Sequence, residues 1–165
     1  MPLFDEDNPQ TVSADTTNEI IAAVAMLQGG ERVRGRATLE SIWLRISHAP
    51  NPIDECVLAH YLADVQDEPA EELAWDLRAL NAAMRCTDAE ARQLHPTLSI
   101  SALLPSLHLN LAEDYWNFKE FAQSRTHLAK ARLLTATLSD DGYGRMIRFG
   151  IEGLETRLLR AAVGA

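Results

Sequence analysis

The chain has 165 residues, enough for one domain with a hydrophobic core of its own, and only two cysteines, Cys56 and Cys86, too few for a disulfide framework. Its net charge of -9 does not supply the positive field that phosphate backbones require, which argues against nucleic acid as a partner. Hydrophobic residues make up 47% and aromatic residues only 6%, so the apolar mass is mostly Ala, Leu and Ile and suits an all-α class, helix packed on helix.

Met1 to Ala14 is acidic, carries Pro2 and Pro9 and lacks apolar periodicity, so it is expected as a disordered tail ahead of a single helical domain over 15–165. Asp15, Thr16 and Thr17 offer capping side chains, and Ile20, Ile21, Val24 and Leu27 follow at helical spacing until Gly29 and Gly30. A second helix shows Val33, Leu39, Ile42, Trp43 and Ile46 on one face and ends where Pro50 and Pro52 bar continuation. Asn51 before Pro52 is a helix start, with Asp54 and Glu55 placed favourably in the first turn, and that helix should run to about Val65. Asp67 before Glu68 and Pro69 repeats the device for a fourth helix with Leu73, Leu77, Leu80 and Met84. Thr87 with Glu90 forms a capping-box pattern for a short helix ending near His95 and Pro96. Next come a helix from about Leu104 to Phe118, with Pro105 in its first turn, and another from about Glu120 to Thr137. After the loop Leu138–Tyr143, which holds its cap, a final helix from about Gly142 to Ala161 offers Tyr143, Ile147, Ile151, Leu154 and Leu158 to the body.

Leu111, Ala112 and Tyr115, then Phe121, Ser124, Leu128 and Ala131, set small and large residues where two helices of a hairpin meet. The pattern resembles the tetratricopeptide repeat (TPR), a helix-turn-helix unit of about 34 residues. His108 stands where that family prefers Trp, Lys119 where it prefers Gly, and Ala136 where Pro usually closes the unit. With Gly30 as turn glycine, the first pair puts Ala23 and Gly35 at small positions and Met26, Leu39 and Ile42 at large ones; the middle pair aligns loosely through Tyr61, Ala70, Ala74 and Leu77. The resemblance implies antiparallel hairpins stacked as a short TPR-like solenoid with a C-terminal capping helix. It also implies a protein- or peptide-binding adaptor or regulatory module without catalytic activity, whose inner row would present Ser106, Leu109, Glu113, Trp116 and Asn117 to a partner. Leu109 and Glu113 in that row disfavour an acidic peptide tail.

Chemistry has one candidate row. Cys56, His60 and Asp64 fall at i, i+4 and i+8 on one helix face and are the alternative reading, a metal-bearing or small-molecule enzyme, although free Cys and lone helical His are more often core residues. No Gly-x-Ser-x-Gly elbow or phosphate-cradling loop occurs, and His108 and Glu113 are out of helical phase, so no enzyme, metal or cofactor is expected. Between Arg45 and Arg78 there is no basic residue, while from Lys119 onward the balance turns basic. The acidic middle favours a partner with a basic segment, or a structural homodimerisation module whose copies face each other with opposite charges. No apolar run reaches the roughly 20 residues that cross a bilayer. With no basic-then-apolar segment at the start, a cytoplasmic protein is expected, and a cationic content carried almost wholly by Arg fits a GC-rich bacterial genome.

Overall fold

The computed structural model describes residues 9–163, which contain helices and no strand. They are α1 (Pro9–Gln28), α2 (Arg32–Ile46), α3 (Pro52–Ala63), α4 (Pro69–Ala83), α5 (Asp88–Leu94), α6 (Ile100–Asn117), α7 (Phe121–Leu133) and α8 (Gly142–Val163), with a 3-10 turn at Leu134–Thr137. The first eight residues of the expected acidic tail lie outside the described residues, and α1 begins at Pro9 rather than near Asp15. Among the described residues no helix is long and apolar enough to cross a membrane.

Local chemistry accounts for most boundaries. Asn51 caps α3 by accepting the Ile53 amide at 2.8 Å, with Pro52 at the first helical position. Thr87 and Glu90 complete a reciprocal capping box on α5. At α4 the cap residue is Glu68 rather than Asp67, and no side chain bonds there. Asp67 instead pairs with Arg36 at 2.8 Å, so it ties α2 to the loop before α4.

The helices pack as consecutive pairs, α1 with α2, α3 with α4 and α6 with α7. α3 lies against both helices of the first pair, α6 against α4, and α8 against α6 and α7. This surrounds α3, whose residues from Ile53 to His60 are all buried. Ala79, Ala82 and Ala83 form much of the buried face of α4, where small side chains let two backbones approach. That face corrects the expected stripe. Leu77 and Met84 are exposed, as is Val33 on α2, because the buried faces run through Asp76–Ala79–Ala83 and Gly35–Leu39–Ile42 instead.

The first and third pairs turn in the same way. Gly30 donates to Leu27 O and Glu31 to Met26 O; Lys119 donates to Trp116 O and Glu120 to Tyr115 O. Gly30 has φ 86 and Lys119 φ 61, both left-handed. At the same constant offset, Ala23 matches Ala112, Leu39 matches Leu128, and the buried small residues Gly35 and Ser124 match each other. The lysine thus stands at a position whose backbone favours glycine, and Lys119→Gly should raise stability by about 1 kcal/mol, read as a higher urea midpoint at unchanged slope. A neutral or negative shift would mean that the Lys119 side chain makes a contact worth more than the backbone strain it tolerates.

Helix α6 is longer than the sequence suggests. Ser99 caps it through the Ala102 amide, and the Asp88 carboxylate of α5 accepts the Ser101 amide at 2.9 Å. Pro105 is therefore well inside the helix rather than in its first turn. A proline there removes the bond to the carbonyl four residues earlier, which is that of Ser101. The Thr137 hydroxyl lies 2.9 Å from Ser101 O and 2.8 Å from Leu134 O, so a residue outside the helix covers the freed carbonyl.

Candidate functional site

The row proposed from the repeat pattern lies on α6, and α8 crosses it. Tyr143 donates its hydroxyl to Ser106 Oγ at 2.9 Å. Leu109 is buried in one cluster with Ile147 and Ile151, and a Cβ added at Gly150 would meet its Cδ2 at 2.8 Å, so α8 lies close against it here. Arg157 pairs with Glu113, and its guanidinium sits 5.5 Å from the Trp116 ring centroid. Trp116 also meets Phe121 at 5.1 Å between ring centroids; Asn117 is exposed. Tyr143, Gly150 and Arg157 recur every seven residues, so one stripe of α8 occupies the row. A partner using Ser106, Leu109, Glu113 and Trp116 would have to displace α8, which leaves only Asn117 of the five open.

The Cys56, His60 and Asp64 row does not form a ligand set. Cys56 and His60 point into the core, whereas Asp64 caps the end of α3 and is exposed. Burial raises the Cys56 thiol to about 12 and lowers the His60 imidazole to about 4, so both are held neutral. His108 does not meet Glu113 either; its Nδ1 lies 3.0 Å from Nδ1 of His127.

The acidic middle is answered in part from within. Glu55 is buried and receives Arg78 at 2.9 Å and Arg85 at 2.6 Å, while Arg32 donates to the Asp64 and Val65 carbonyls that end α3. Among the acids without such an answer, three converge. Glu72 and Asp76 stand one turn apart on α4, facing Asp114 of α6, and one carboxylate oxygen from each lies within 4.8 Å of the others. Asp76 is 0% exposed and Asp114 3%. Asn110, one turn before Asp114, donates to Asp76 Oδ1 at 3.3 Å, yet Oδ2 of Asp76 and Oδ2 of Asp114 have no hydrogen-bond partner. Burial, then repulsion from Asp114, holds Asp76 well above the ordinary carboxyl range; burial, then repulsion from Glu72, does the same to Asp114. The charges acting on this pair are other carboxylates, including Asp64 and Glu113. Sequence reading missed the group because its members lie on helices separated by α5, although the one-turn spacing of Glu72 and Asp76 is visible in the chain.

Concavities also occur among the described residues, one of about 310 Å³ having Leu27, Arg32, Tyr61 and Asp64 among its walls. A cleft of about 370 Å³ has Ile21, Val24, Tyr61, Leu98, Leu103 and Tyr143 among its walls. An apolar groove of about 560 Å³ runs between α7 and α8, floored by Leu128 and Leu158 and flanked by Leu133 and Leu159, with Arg125 and Arg132 at its edge. Outside the groove's walls α8 also exposes Met146, Phe149 and Val163. No family model, curated protein or solved structure matches the chain.

Proposed function

We propose that this chain is a binding module of TPR-like helical hairpins, without chemistry of its own, that captures a partner protein through one amphipathic helix laid along α7 and α8. The observation that carries this reading is the outer face of α8. A helix that closes a stack of hairpins needs a polar outer side. Here Leu159 is 69% exposed and shares the groove with Leu133, 80% exposed on α7, and Phe149 elsewhere on α8 is 77% exposed. α8 packs on α6 and α7 much as α3 packs on α1 and α2, which is the place of a first helix in a further hairpin. Its exposed apolar face is where the second helix of that hairpin would lie. The incoming helix supplies that second element, with leucine-like residues at i, i+3, i+4 and i+7.

Charge selects the partner's flanks. Arg132 and Glu155 at the groove neutralise each other, which leaves Arg125 at its edge and Arg160 near the end of α8 to favour an acidic flank over a basic one. The basic partner segment expected from the acidic middle has less support, because Glu55 and Asp67 are neutralised by arginines of the chain itself.

Two labelled helical peptides with the same leucine stripe, one flanked by Glu and one by Lys, test the reading by fluorescence anisotropy. The Glu-flanked peptide should bind, and Leu159→Asp should weaken it at least tenfold while leaving the far-UV circular dichroism unchanged, as loss of a central apolar anchor does. Equal binding of both peptides, or retention in Leu159→Asp, would remove the groove as the docking surface. Self-association that Leu159→Asp abolishes, with no peptide bound, would assign the face to a second copy of the chain.

A further inference from the structure

We propose that Glu72, Asp76 and Asp114 bind one hard divalent cation, of the magnesium, manganese or calcium class, between α4 and α6. The inference is independent of the helix-docking reading, since it rests on a different face and different residues. Its first support is geometric: carboxylate oxygens from three residues on two facing helices converge within 4.8 Å of one another. Oxygens around a six-coordinate ion at about 2.1 Å lie roughly 3–4 Å apart, so a small adjustment of side-chain rotamers closes the set on an ion.

The second support is what the two aspartates lack. Asp76 and Asp114 are almost wholly buried, and each keeps one oxygen with no donor. A buried carboxylate oxygen without a donor or a counter-charge is costly, and a native fold retains one where something fills the place. Among the described residues none of the three joins an ion pair, although the neighbouring acids Glu55, Asp67 and Glu113 all do. A cation would meet both unpartnered oxygens and the half-buried Glu72 carboxylate at once. Asp64, exposed at the end of α3, adds negative potential without contributing an atom to the converging set.

Donor chemistry sets the class of ion. The set holds carboxylate oxygen and, one turn away, the Asn110 amide, with no imidazole or thiolate; oxygen-only sites suit magnesium, calcium and manganese rather than zinc or copper. The competing arrangement is one proton shared between Asp76 and Asp114, which needs no metal and gives Glu72 no part.

The full chain, stripped with a chelator and dialysed, is titrated with Mn²⁺ while free ion is followed by its electron paramagnetic resonance signal. One equivalent should bind, Mg²⁺ or Ca²⁺ should displace it, and the melting temperature should rise with each ion. Asp76→Asn should abolish binding and Glu72→Gln should weaken it at least tenfold, with circular dichroism showing both variants folded. Should Asp76→Asn fail to fold, Glu72→Gln carries the test alone, because its side chain is only half-buried. No saturable Mn²⁺ binding up to about 1 mM, the weak end of protein cation sites, would overturn the proposal, as would affinity unchanged in both variants. An Asp76→Asn protein that melts higher than a wild type binding no Mn²⁺ would assign the pair to a shared proton.

Discussion

Leu111→Ala should lower the unfolding free energy by about 3–5 kcal/mol, the range for removing a fully buried leucine that its surroundings cannot collapse around. Leu111 is 0% exposed and sits mid-way along α6, the helix that touches α4, α7 and α8. Relaxation is limited on every side, since α6 is clamped between α4 and α7 and its inner face is crossed by α8. Met84→Ala is the contrast. Met84 was expected on the same kind of apolar stripe, but it is 73% exposed and its loss should stay within about 0.5 kcal/mol. Urea unfolding of both variants, with unchanged slope as the check on two-state behaviour, measures the difference. A Leu111→Ala cost below about 1 kcal/mol would mean that α6 is not the hub of the packing.

That contrast shows what periodicity reveals and where it stops. Every main helix was visible, because caps and breakers act locally: Asn51 with Pro52, and Thr87 with Glu90, work through bonds to residues two or three positions away. Which face a helix buries is settled by its neighbours. On α4 the large residues Leu77 and Met84 read as core, but contact with α3 selected the small residues Ala79 and Ala83, and alanine carries a weak hydrophobic signal. Pro105 reads as a first-turn residue for a similar reason. Its tolerance inside α6 depends on Thr137, a residue far along the chain. The carboxylate group was the least visible feature. Glu72 and Asp76 looked like part of a solvated acidic stretch, and only the approach of α6 turned them into a buried set with Asp114. By contrast, small residues at Ala23, Gly35, Ala112 and Ser124 did mark the two hairpin crossings correctly, because close backbone approach excludes almost every other side chain.

Acid should weaken the fold through His60. Its ring is 6% exposed on the most enclosed helix, its Nδ1 has no partner, and burial alone lowers its pKa from 6.5 to about 4. The folded state therefore favours the neutral imidazole. The resulting stability is complete above the unfolded pKa of 6.5 and is lost progressively as pH falls toward 4, where the folded state also takes up the proton. A shift of this size corresponds to about 3 kcal/mol, of which about 2–3 kcal/mol is lost between pH 8 and pH 4.5. The raw stability curve mixes this with terms of opposite sign, because Asp76 and Asp114 have raised pKa values and gain stability as pH falls. Subtraction isolates the histidine. Urea unfolding of wild type and His60→Gln, both in chelator, should show the wild type losing about 2–3 kcal/mol relative to the variant over that interval, since glutamine does not titrate. A difference that stays flat would place the imidazole in contact with water, and with it would fall the packing that encloses α3 between the first pair and α4.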